Sequence, residues 1–290
     1  MLDTSLAEAT LQTRSLAPPA QGARQPAAAK QLATPTPRRL PRLRRLAVPL
    51  ALVLLWQAGS MAGLIPARTL AAPSAVLATA WDLTRSGALP WHLLVSLARV
   101  AAGVAIGTAL GAALGLVAGL SRLGEDTVDA TMQMLRTLPF LALVPLFILW
   151  FGIGETPKIA LVALGALFPV YLNLFAGIRG VDPKLAEAGR VFGLDRRGLV
   201  RHVVLPGALP SALVGLRYAL GVAWLSLVVA EQVNAQSGIG YLINDARDFL
   251  RTDVILVGLL TYALLGLGAD SLVRLLERRL LAWRPALVRS

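Results

Sequence analysis

The sequence contains no cysteine, and its only histidines are His92 and His202. Disulfides, thiolate metal ligands and cysteine nucleophiles are therefore excluded, and a zinc site built on histidine is not expected. Charged residues make up 15% of the 290 residues, whereas a soluble domain has about 25%. The sequence therefore predicts neither a metalloenzyme nor an ordinary soluble domain.

Lysine and acidic residues are also scarce. The lysines are Lys30, Lys158 and Lys184, and none of them lies in a G-x-x-x-x-G-K-[ST] sequence, the loop that holds the phosphates of ATP. The chain has 28 basic and 16 acidic residues, which gives a net charge of +12. Since no soluble segment is long enough to fold into a basic surface, a nucleic-acid partner is not expected.

Apolar residues make up 56% of the sequence and are clustered into long runs. Six runs meet or approach the ~20 residues that a helix needs to cross ~30 Å of hydrocarbon. They are residues 46–65, 101–120, 137–154, 159–178, 211–230 and 254–273. The sequence therefore predicts an all-α membrane protein, a polytopic bundle of about six transmembrane helices.

The distribution of basic residues predicts the orientation of this bundle. Arginine and lysine are concentrated before the first run, in residues 179–210 between the fourth and fifth runs, and after the sixth. Because basic loops remain in the cytoplasm, both termini and residues 179–210 are expected there. Residues 1–45 are expected to be disordered, residues 46–283 to form the membrane domain with the first run as an uncleaved anchor, and residues 284–290 to form a tail.

The second apolar run contains a row of glycines at every fourth position. They are Gly103, Gly107, Gly111, Gly115 and Gly119. A step of four residues turns a helix by about 400°, so the row winds slowly along one side and leaves a groove without side chains. Glycine is common in membrane helices, but five in register favour a groove against which another helix packs closely.

Charged residues within or beside the spans are candidates for a translocation path. Arg217 and Glu231 bracket the fifth run, and a charge at mid-bilayer costs about 2.5–3.5 kcal/mol on insertion scales. Arg217 can extend to the cytoplasmic interface, and Glu231 lies at the opposite end, where water is expected to reach it. A structural role is therefore favoured over a pathway or gating role for both. Asp270 and Arg274, four residues apart, are expected to form a helical ion pair.

Two connections on the opposite side have the pattern of short interfacial helices. Residues 73–84 form an apolar segment with Ser74 as a candidate N-cap. Residues 241–250 follow Gly238-Ile239-Gly240 and have a similar pattern.

Residues 179–210 are long for a connection within a bundle. Asp182 and Pro183 predict the start of one short helix, which Gly193 ends, and Asp195 predicts the cap of a second helix that stops before Pro206. Their apolar faces need either a partner surface or the lipid headgroups, on which an interfacial hairpin could lie.

The spacing in this segment resembles a known family. Glu187-Ala188-Gly189 is followed by three residues, Gly193, nine residues and Val203-Val204-Leu205-Pro206. This pattern is similar to the EAA loop of binding-protein-dependent ABC importer permeases, with Gly189 in place of Ala and Val203 in place of Ile. The resemblance extends from Leu64 to Trp283 and points to the branch that transports nitrate, taurine and aliphatic sulfonates.

The resemblance implies the type I ABC importer fold and mechanism. Two permease subunits would pair, as a homodimer or with a second permease, in a bacterial inner membrane. A loop would dock on two cytoplasmic ATPase subunits that bind the ATP, and a periplasmic binding protein would deliver a small anionic nutrient. The chain itself would hold no cofactor, metal or catalytic residue. The implied coupling residues are Glu187, Ala188, Gly189, Gly193, Val203, Leu205 and Pro206.

Two other classes of protein compete with this interpretation. A self-sufficient secondary transporter or channel would need ion-coupling carboxylates at mid-membrane or an inverted repeat, and the sequence shows neither. A membrane enzyme would need clustered reactive side chains. The cluster of Glu125, Asp126 and Asp129 is explained by a solvated turn.

Overall fold

The computed structural model describes residues 42–283, which form helices joined by short connections. Of residues 1–45, which the sequence predicts to be disordered, residues 42–45 are described and belong to the first helix. The other residues of that segment and the predicted tail lie outside the described range. The chain forms two units, residues 1–47 and residues 48–290. Of the first unit, only the opening turn of the first helix is described. The α-helices are α1 (Arg42–Met61), α2 (Pro73–Arg85), α3 (Ala88–Leu120), α4 (Arg122–Gly124), α5 (Ala130–Leu135), α6 (Val144–Phe151), α7 (Thr156–Arg179), α8 (Pro183–Val191), α9 (Arg196–Leu199), α10 (Leu205–Asn234), α11 (Ile239–Asp248) and α12 (Thr252–Leu280).

Within the described residues, four helices are long and apolar enough to cross a membrane. They span Ala88–Leu120, Thr156–Arg179, Arg196–Val233 and Thr252–Leu280. The first predicted span corresponds to a shorter apolar helix, Ala47–Met61. The prediction of an all-helical membrane protein is confirmed, whereas the number of unbroken long helices is smaller than predicted.

The third predicted span, residues 137–154, is not one helix. Helix α5 ends at Leu135, and the chain resumes with a 3₁₀ turn at Phe140–Leu143 and then α6. Pro139 disfavours a helical conformation at Leu138, and Pro145 lies in the first turn of α6, where its missing N–H costs nothing. Gly152, with φ of 74°, ends α6. The third predicted span is therefore a 3₁₀ turn and a short helix rather than one long helix.

The glycine row of α3 lies against α7. All five glycines are buried, and a Cβ atom on Gly111 would lie 2.5 Å from the carbonyl oxygen of Leu167. A Cβ on Gly107 would overlap the carbonyl oxygen of Ala163, and one on Gly119 would lie 2.8 Å from the side chain of Ile178. The two helices therefore approach each other backbone to backbone, which only glycine permits.

The sequence predicts that the second short helix of the connection stops before Pro206, and this prediction is wrong. A π-turn at Val200–Val204 joins α9 to α10, and the Leu205 N–H donates to the carbonyl oxygen of Val200. Since a π-turn shifts hydrogen bonds from i−4 to i−5, the helix can pass into Pro206 without a break. Residues from Arg196 to Val233 thus form one continuous helix of 38 residues.

Both predicted short helices outside the spans are present, as α2 and α11. The predicted N-cap is wrong, because Ala72 is the N-cap residue and Pro73 occupies the first turn of α2. Ser74 instead bonds Gln57 of α1, with its N–H donating to Gln57 Oε1 at 3.0 Å and its hydroxyl accepting from Gln57 Nε2 at 3.1 Å. This pair ties α1 to α2.

Candidate functional site

The connection between α7 and α10 folds into a rigid corner, which we call the elbow and define as residues 180–206. Asp182 Oδ1 accepts a hydrogen bond of 2.9 Å from the Lys184 N–H and so caps α8. Asp195 Oδ1 accepts one of 2.8 Å from the Gly198 N–H and caps α9. Both predicted caps are confirmed, and each satisfies a backbone donor that would otherwise have no partner.

Gly193 forms the turn between the two helices of the elbow. Its φ of 84° lies in the left-handed region, and the N–H of Leu194 donates to the carbonyl oxygen of Gly189 at 3.0 Å. Gly189 is buried, and a Cβ atom there would lie 2.7 Å from the Leu199 side chain. The departure from Ala at Gly189 therefore lets α8 and α9 pack closely.

The outside of the elbow carries large, exposed apolar side chains. Val191 and Phe192 are each 86% exposed, and Leu185 is also exposed. Glu187 and Ala188 are exposed as well. Exposed apolar groups on a stiff, capped turn need a covering surface, either a partner protein or the lipid headgroups. Of the other motif residues, Val203 and Pro206 are half-buried at the start of the continuous helix, and Leu205 is exposed.

At the far end of α10, Glu231 is almost fully buried, with 1% of its surface exposed. Its carboxylate accepts hydrogen bonds from Arg99 Nη1 at 2.7 Å, the Ser96 hydroxyl at 2.8 Å, the Gly240 N–H at 2.8 Å and the Tyr262 hydroxyl at 3.2 Å. These donors belong to α3, α11 and α12. The expectation that water reaches Glu231 is therefore wrong.

Arg99 connects this carboxylate to a second one. It is 3% exposed, and it donates to Glu155 through Nε at 2.5 Å and Nη2 at 2.7 Å. Lys158, 4% exposed, donates to Glu155 at 3.0 Å. We call Ser96, Arg99, Glu155, Lys158, Glu231 and Tyr262 the Glu231 cluster. The two buried cations, Arg99 and Lys158, are thus balanced by one buried carboxylate, Glu231, and one exposed carboxylate, Glu155.

Glu155 lies just before α7, outside the membrane-spanning helices. Its side chain is more than half exposed. The two hydrogen bonds from Arg99, helped by Lys158, lower the pKa of Glu155 to about 2. Glu155 therefore stays ionised in the folded protein at pH values well below the usual pKa of a carboxyl group.

Glycines before and within α11 allow the backbone to approach Glu231. A Cβ on Gly238 would overlap the Glu231 carboxylate, and one on Gly240 would lie 2.6 Å from Glu231 Cβ. The N–H of Gly238 donates to His92 Nδ1 at 3.0 Å, and that of Ile239 to Ser96 Oγ at 2.9 Å. The Gly238-Ile239-Gly240 sequence thus allows α11 to pack against the Glu231 cluster.

Arg217 and Glu231 are not brought together. They are separated by 14 positions on α10, which is about 21 Å along a helix. Arg217 donates to Glu277 at 2.7 Å and lies 3.4 Å from Asp270. Asp270 also pairs with Arg274 at 2.6 Å, which confirms the predicted ion pair. Among the residues described, no group of three or more side chains could hold a metal ion.

Sequence reasoning missed Arg99, Glu155 and Lys158. One signal could have identified Arg99: it lies four positions before Gly103 and so continues the glycine row onto the face that packs against α7. Lys158 lies between the third and fourth apolar runs, where the sequence predicts a loop. Its burial depends on Glu155, three residues earlier, and no periodicity in the sequence shows that pairing.

The chain is similar in sequence to transport proteins along most of its length. The family model described as "Binding-protein-dependent transport system inner membrane component" matches residues 107–282. A protein named for aliphatic sulfonates transport, permease SsuC of Escherichia coli (strain K12), is 51% identical over 88% of this chain and 97% of its own length. SsuC of Bacillus subtilis (strain 168) is 46% identical over 83% and 88% of the two chains. The taurine transport permease TauC of Escherichia coli (strain K12) is 37% identical over 74% and 75%.

Solved structures share the fold. An amino acid ABC transporter crystallised with histidines aligns with a TM-score of 0.55 at 22% identity, over 65% of this chain and 92% of the other. The methionine ABC transporter MetNI aligns with a TM-score of 0.52 at 22% identity, over 67% and 95%. The arrangement of helices is therefore that of ABC importer permeases. With the family model covering residues 107–282, the chain belongs to the binding-protein-dependent transport system inner membrane components, the membrane-spanning permease subunits of ABC importers.

Proposed function

We propose that this permease forms the membrane path of an ATP-driven importer for aliphatic sulfonates. The observation that carries the proposal is the 51% identity, over nearly the whole length of both chains, to a permease named for aliphatic sulfonates transport. The relative named for taurine, which is also a sulfonate, is more distant at 37%. A sulfonate is a permanent anion, so a nutrient of this class needs a protein path across the hydrocarbon.

We further propose that the elbow docks on an ATPase subunit. Phe192 and Val191 project from a turn fixed by Gly193 and by the Asp182 and Asp195 caps. Such a surface can transmit a displacement because its helices cannot bend independently.

In this arrangement two permease copies pair, two ATPase subunits bind ATP in the cytoplasm, and a periplasmic binding protein delivers the sulfonate. Both termini lie in the cytoplasm of a bacterium, beneath its inner membrane, as the basic residues indicate.

The substrate is tested by uptake into proteoliposomes that contain the permease, its ATPase and its binding protein. We expect uptake of an alkanesulfonate that requires both ATP and the binding protein. Taurine and nitrate are the comparison substrates. Uptake without ATP would contradict the proposal and support a self-sufficient transporter, and uptake of nitrate in preference to sulfonates would contradict the substrate assignment.

The docking role of the elbow is tested with Phe192→Ala. Because the side chain is 86% exposed, its loss should not affect folding, and the ATPase activity stimulated by the loaded binding protein should fall about tenfold, the loss of one buried aromatic contact. Phe249→Ala, which truncates an exposed phenylalanine after α11, is the matched control and should retain stimulation. Equal stimulation in the two variants would show that Phe192 contacts no ATPase.

A further inference from the structure

Helix α10 has one open side within the bundle. It packs against α3, α7 and α12, yet Val214, Tyr218, Gly221 and Leu225 are exposed. Because these four residues are three or four positions apart, they form one stripe along the helix. We call them the α10 stripe. The stripe must face lipid, a second protein or water.

Ionised side chains border the α10 stripe. Arg217, next to Tyr218, donates to Glu277 through Nη2 at 2.7 Å and lies 3.4 Å from Asp270. Asp270 also pairs with Arg274 at 2.6 Å. We call Arg217, Asp270, Arg274 and Glu277 the Arg217 network. Their side chains are between 26% and 53% exposed, so the network is open on one side.

The Arg217 network lies at membrane depth. Leu205 and Trp283 line one hollow, so the start of α10 and the end of α12 lie together, at the elbow end. Helix α12 has 29 residues and is about 44 Å long, so about 7 Å extends beyond a ~30 Å hydrocarbon core at each end when the helix is centred. Asp270 is about 15 Å from the last residue of α12 and therefore about 8 Å inside the hydrocarbon region.

Lipid is a poor cover for these charges. An ionised side chain exposed to hydrocarbon is costly, and the side chain of Asp270 is too short to reach the interface from this depth. Arg217 has five N–H donors, and the described residues accept one hydrogen bond from it, at Glu277. Since arginine donors need acceptors, the open side of the network requires a hydrated surface.

The other sides of α12 have a different character. Leu264 and Leu272 are 68% and 54% exposed, as expected of positions that face lipid. Leu272 is two positions after Asp270, which places it about 200° around the helix at nearly the same depth. The α10 stripe instead presents the hydroxyl of Tyr218, 62% exposed, beside Arg217. Water on the side of the α10 stripe and lipid on the side of Leu272 account for this difference.

We propose that the α10 stripe and the Arg217 network line a water-filled cavity that opens at the elbow end and forms the inner part of the membrane path. Naming the cavity as part of a path rests on the function proposed above. Two acidic and two basic side chains balance in charge, so the network keeps the cavity hydrated without retaining an anion. This composition suits a surface that a solute passes rather than one that binds it.

The cavity is tested with single cysteines, since the chain has none of its own. Tyr218→Cys, Gly221→Cys and the matched control Leu272→Cys are placed in the permease–ATPase complex in inside-out membrane vesicles. The reagent is 2-sulfonatoethyl methanethiosulfonate, an impermeant anion that reacts with ionised thiols. A Cβ atom on Gly221 meets nothing within 4 Å, so that variant should fold even if Tyr218→Cys does not. Both stripe cysteines should react at least about tenfold faster than Leu272→Cys, because a thiol in hydrocarbon does not ionise.

A second experiment tests whether the Arg217 network borders the same water. Asp270→Asn, added to Tyr218→Cys, leaves an excess positive charge beside the cysteine. The rate of the anionic reagent relative to its trimethylammonium counterpart should rise about threefold or more. Asp248→Asn, which removes an exposed carboxylate at the end of α11, is the control and should leave the ratio of rates unchanged.

A third experiment asks whether the cavity belongs to the path. Vesicles with Tyr218→Cys should lose most of their ATP-dependent uptake of hexanesulfonate after the reagent has reacted, because the adduct obstructs the cavity. Vesicles with Leu272→Cys should keep their uptake after the same treatment.

Three results would overturn the proposal. If both stripe cysteines react no faster than Leu272→Cys, lipid or a second copy of the chain covers the stripe. If Asp270→Asn leaves the ratio of rates unchanged, the network does not border the cavity. If labelled Tyr218→Cys retains its uptake, the cavity is a crevice outside the path. Absence of sulfonate uptake by the wild type, with fast labelling of the stripe, would instead contradict the proposed function alone.

Discussion

A single carboxylate, Glu231, joins four helices at one end of the molecule. Its oxygens accept from side chains of α3 and α12 and from the backbone of α11. A buried charge that is fully hydrogen-bonded adds little net stability compared with apolar packing, but removal of one partner leaves an uncompensated ion. Glu231 therefore contributes chiefly to fixing one arrangement of these helices.

Glu231→Gln should lower the stability of the folded protein by about 3 kcal/mol, because Arg99 then keeps only Glu155 as its anionic partner. Thermal unfolding in detergent measures the loss. Glu277→Gln removes a half-buried carboxylate at the other end of the bundle and should cost less than about 1 kcal/mol. Similar losses in the two variants would contradict the structural role assigned to Glu231.

The pKa of Glu155 predicts how stability depends on pH. It is about 2 in the folded protein and 4.5 ordinarily. The carboxylate therefore stabilises the fold fully above pH 4.5, and this contribution is lost as the pH falls towards 2. Glu155→Gln lacks this contribution to stability, so the wild type should melt at a higher temperature than the variant. The difference in melting temperature should be constant from pH 7 to 5 and shrink below pH 5.

Asp248→Asn controls for the loss of one carboxylate at the exposed end of α11. If the melting temperatures of the wild type and Glu155→Gln differ by the same amount down to pH 3, the ion pair with Arg99 does not lower the pKa of Glu155.

At the scale of the element, the α3–α7 contact depends on the absence of side chains. Gly107→Ala places a methyl group where the carbonyl oxygen of Ala163 lies, so the helices must separate, at a cost of about 1–3 kcal/mol. Gly221→Ala, in the open part of α10, should not destabilise the protein and gains helix propensity. Melting temperatures of the two variants compare them directly. A stable Gly107→Ala protein would mean that the helices do not pack as closely as described.

How much of each element could be predicted depended on whether its signal is local. The caps at Asp182 and Asp195 and the turn at Gly193 are set by neighbouring residues, and the sequence predicts them correctly. The passage of the helix through Pro206 depends on a π-turn, which leaves no pattern in the residues. Pro139 lies within an apolar run, and a proline there does not by itself distinguish a kinked membrane helix from a broken one.

At the scale of the whole molecule, the absence of cysteine gives a direct test of orientation. Any introduced cysteine is the only thiol in the chain. Phe249→Cys lies at an exposed position after α11 and should react with a membrane-impermeant maleimide in intact cells. Trp283→Cys, exposed beyond α12, should react only after the membrane is permeabilised. The reverse labelling would place the termini outside the cytoplasm.

The general class of the molecule followed from the sequence, since long apolar runs and asymmetric basic charge are properties of composition. The Glu231 cluster did not, because it unites residues from Ser96 to Tyr262 that are distant in the chain. Only packing of the helices shows that Lys158 and Glu155 belong with Arg99. The long-range pairs of this site are therefore the part that required the structure.

The uninterrupted helix from Arg196 to Val233 has a mechanical consequence. At 1.5 Å per residue it is about 57 Å long, with the elbow at one end and Glu231 at the other. The elbow and the Glu231 cluster are thus carried by one rod, and a bend between them would fall at the π-turn of Val200–Val204 or at Pro210.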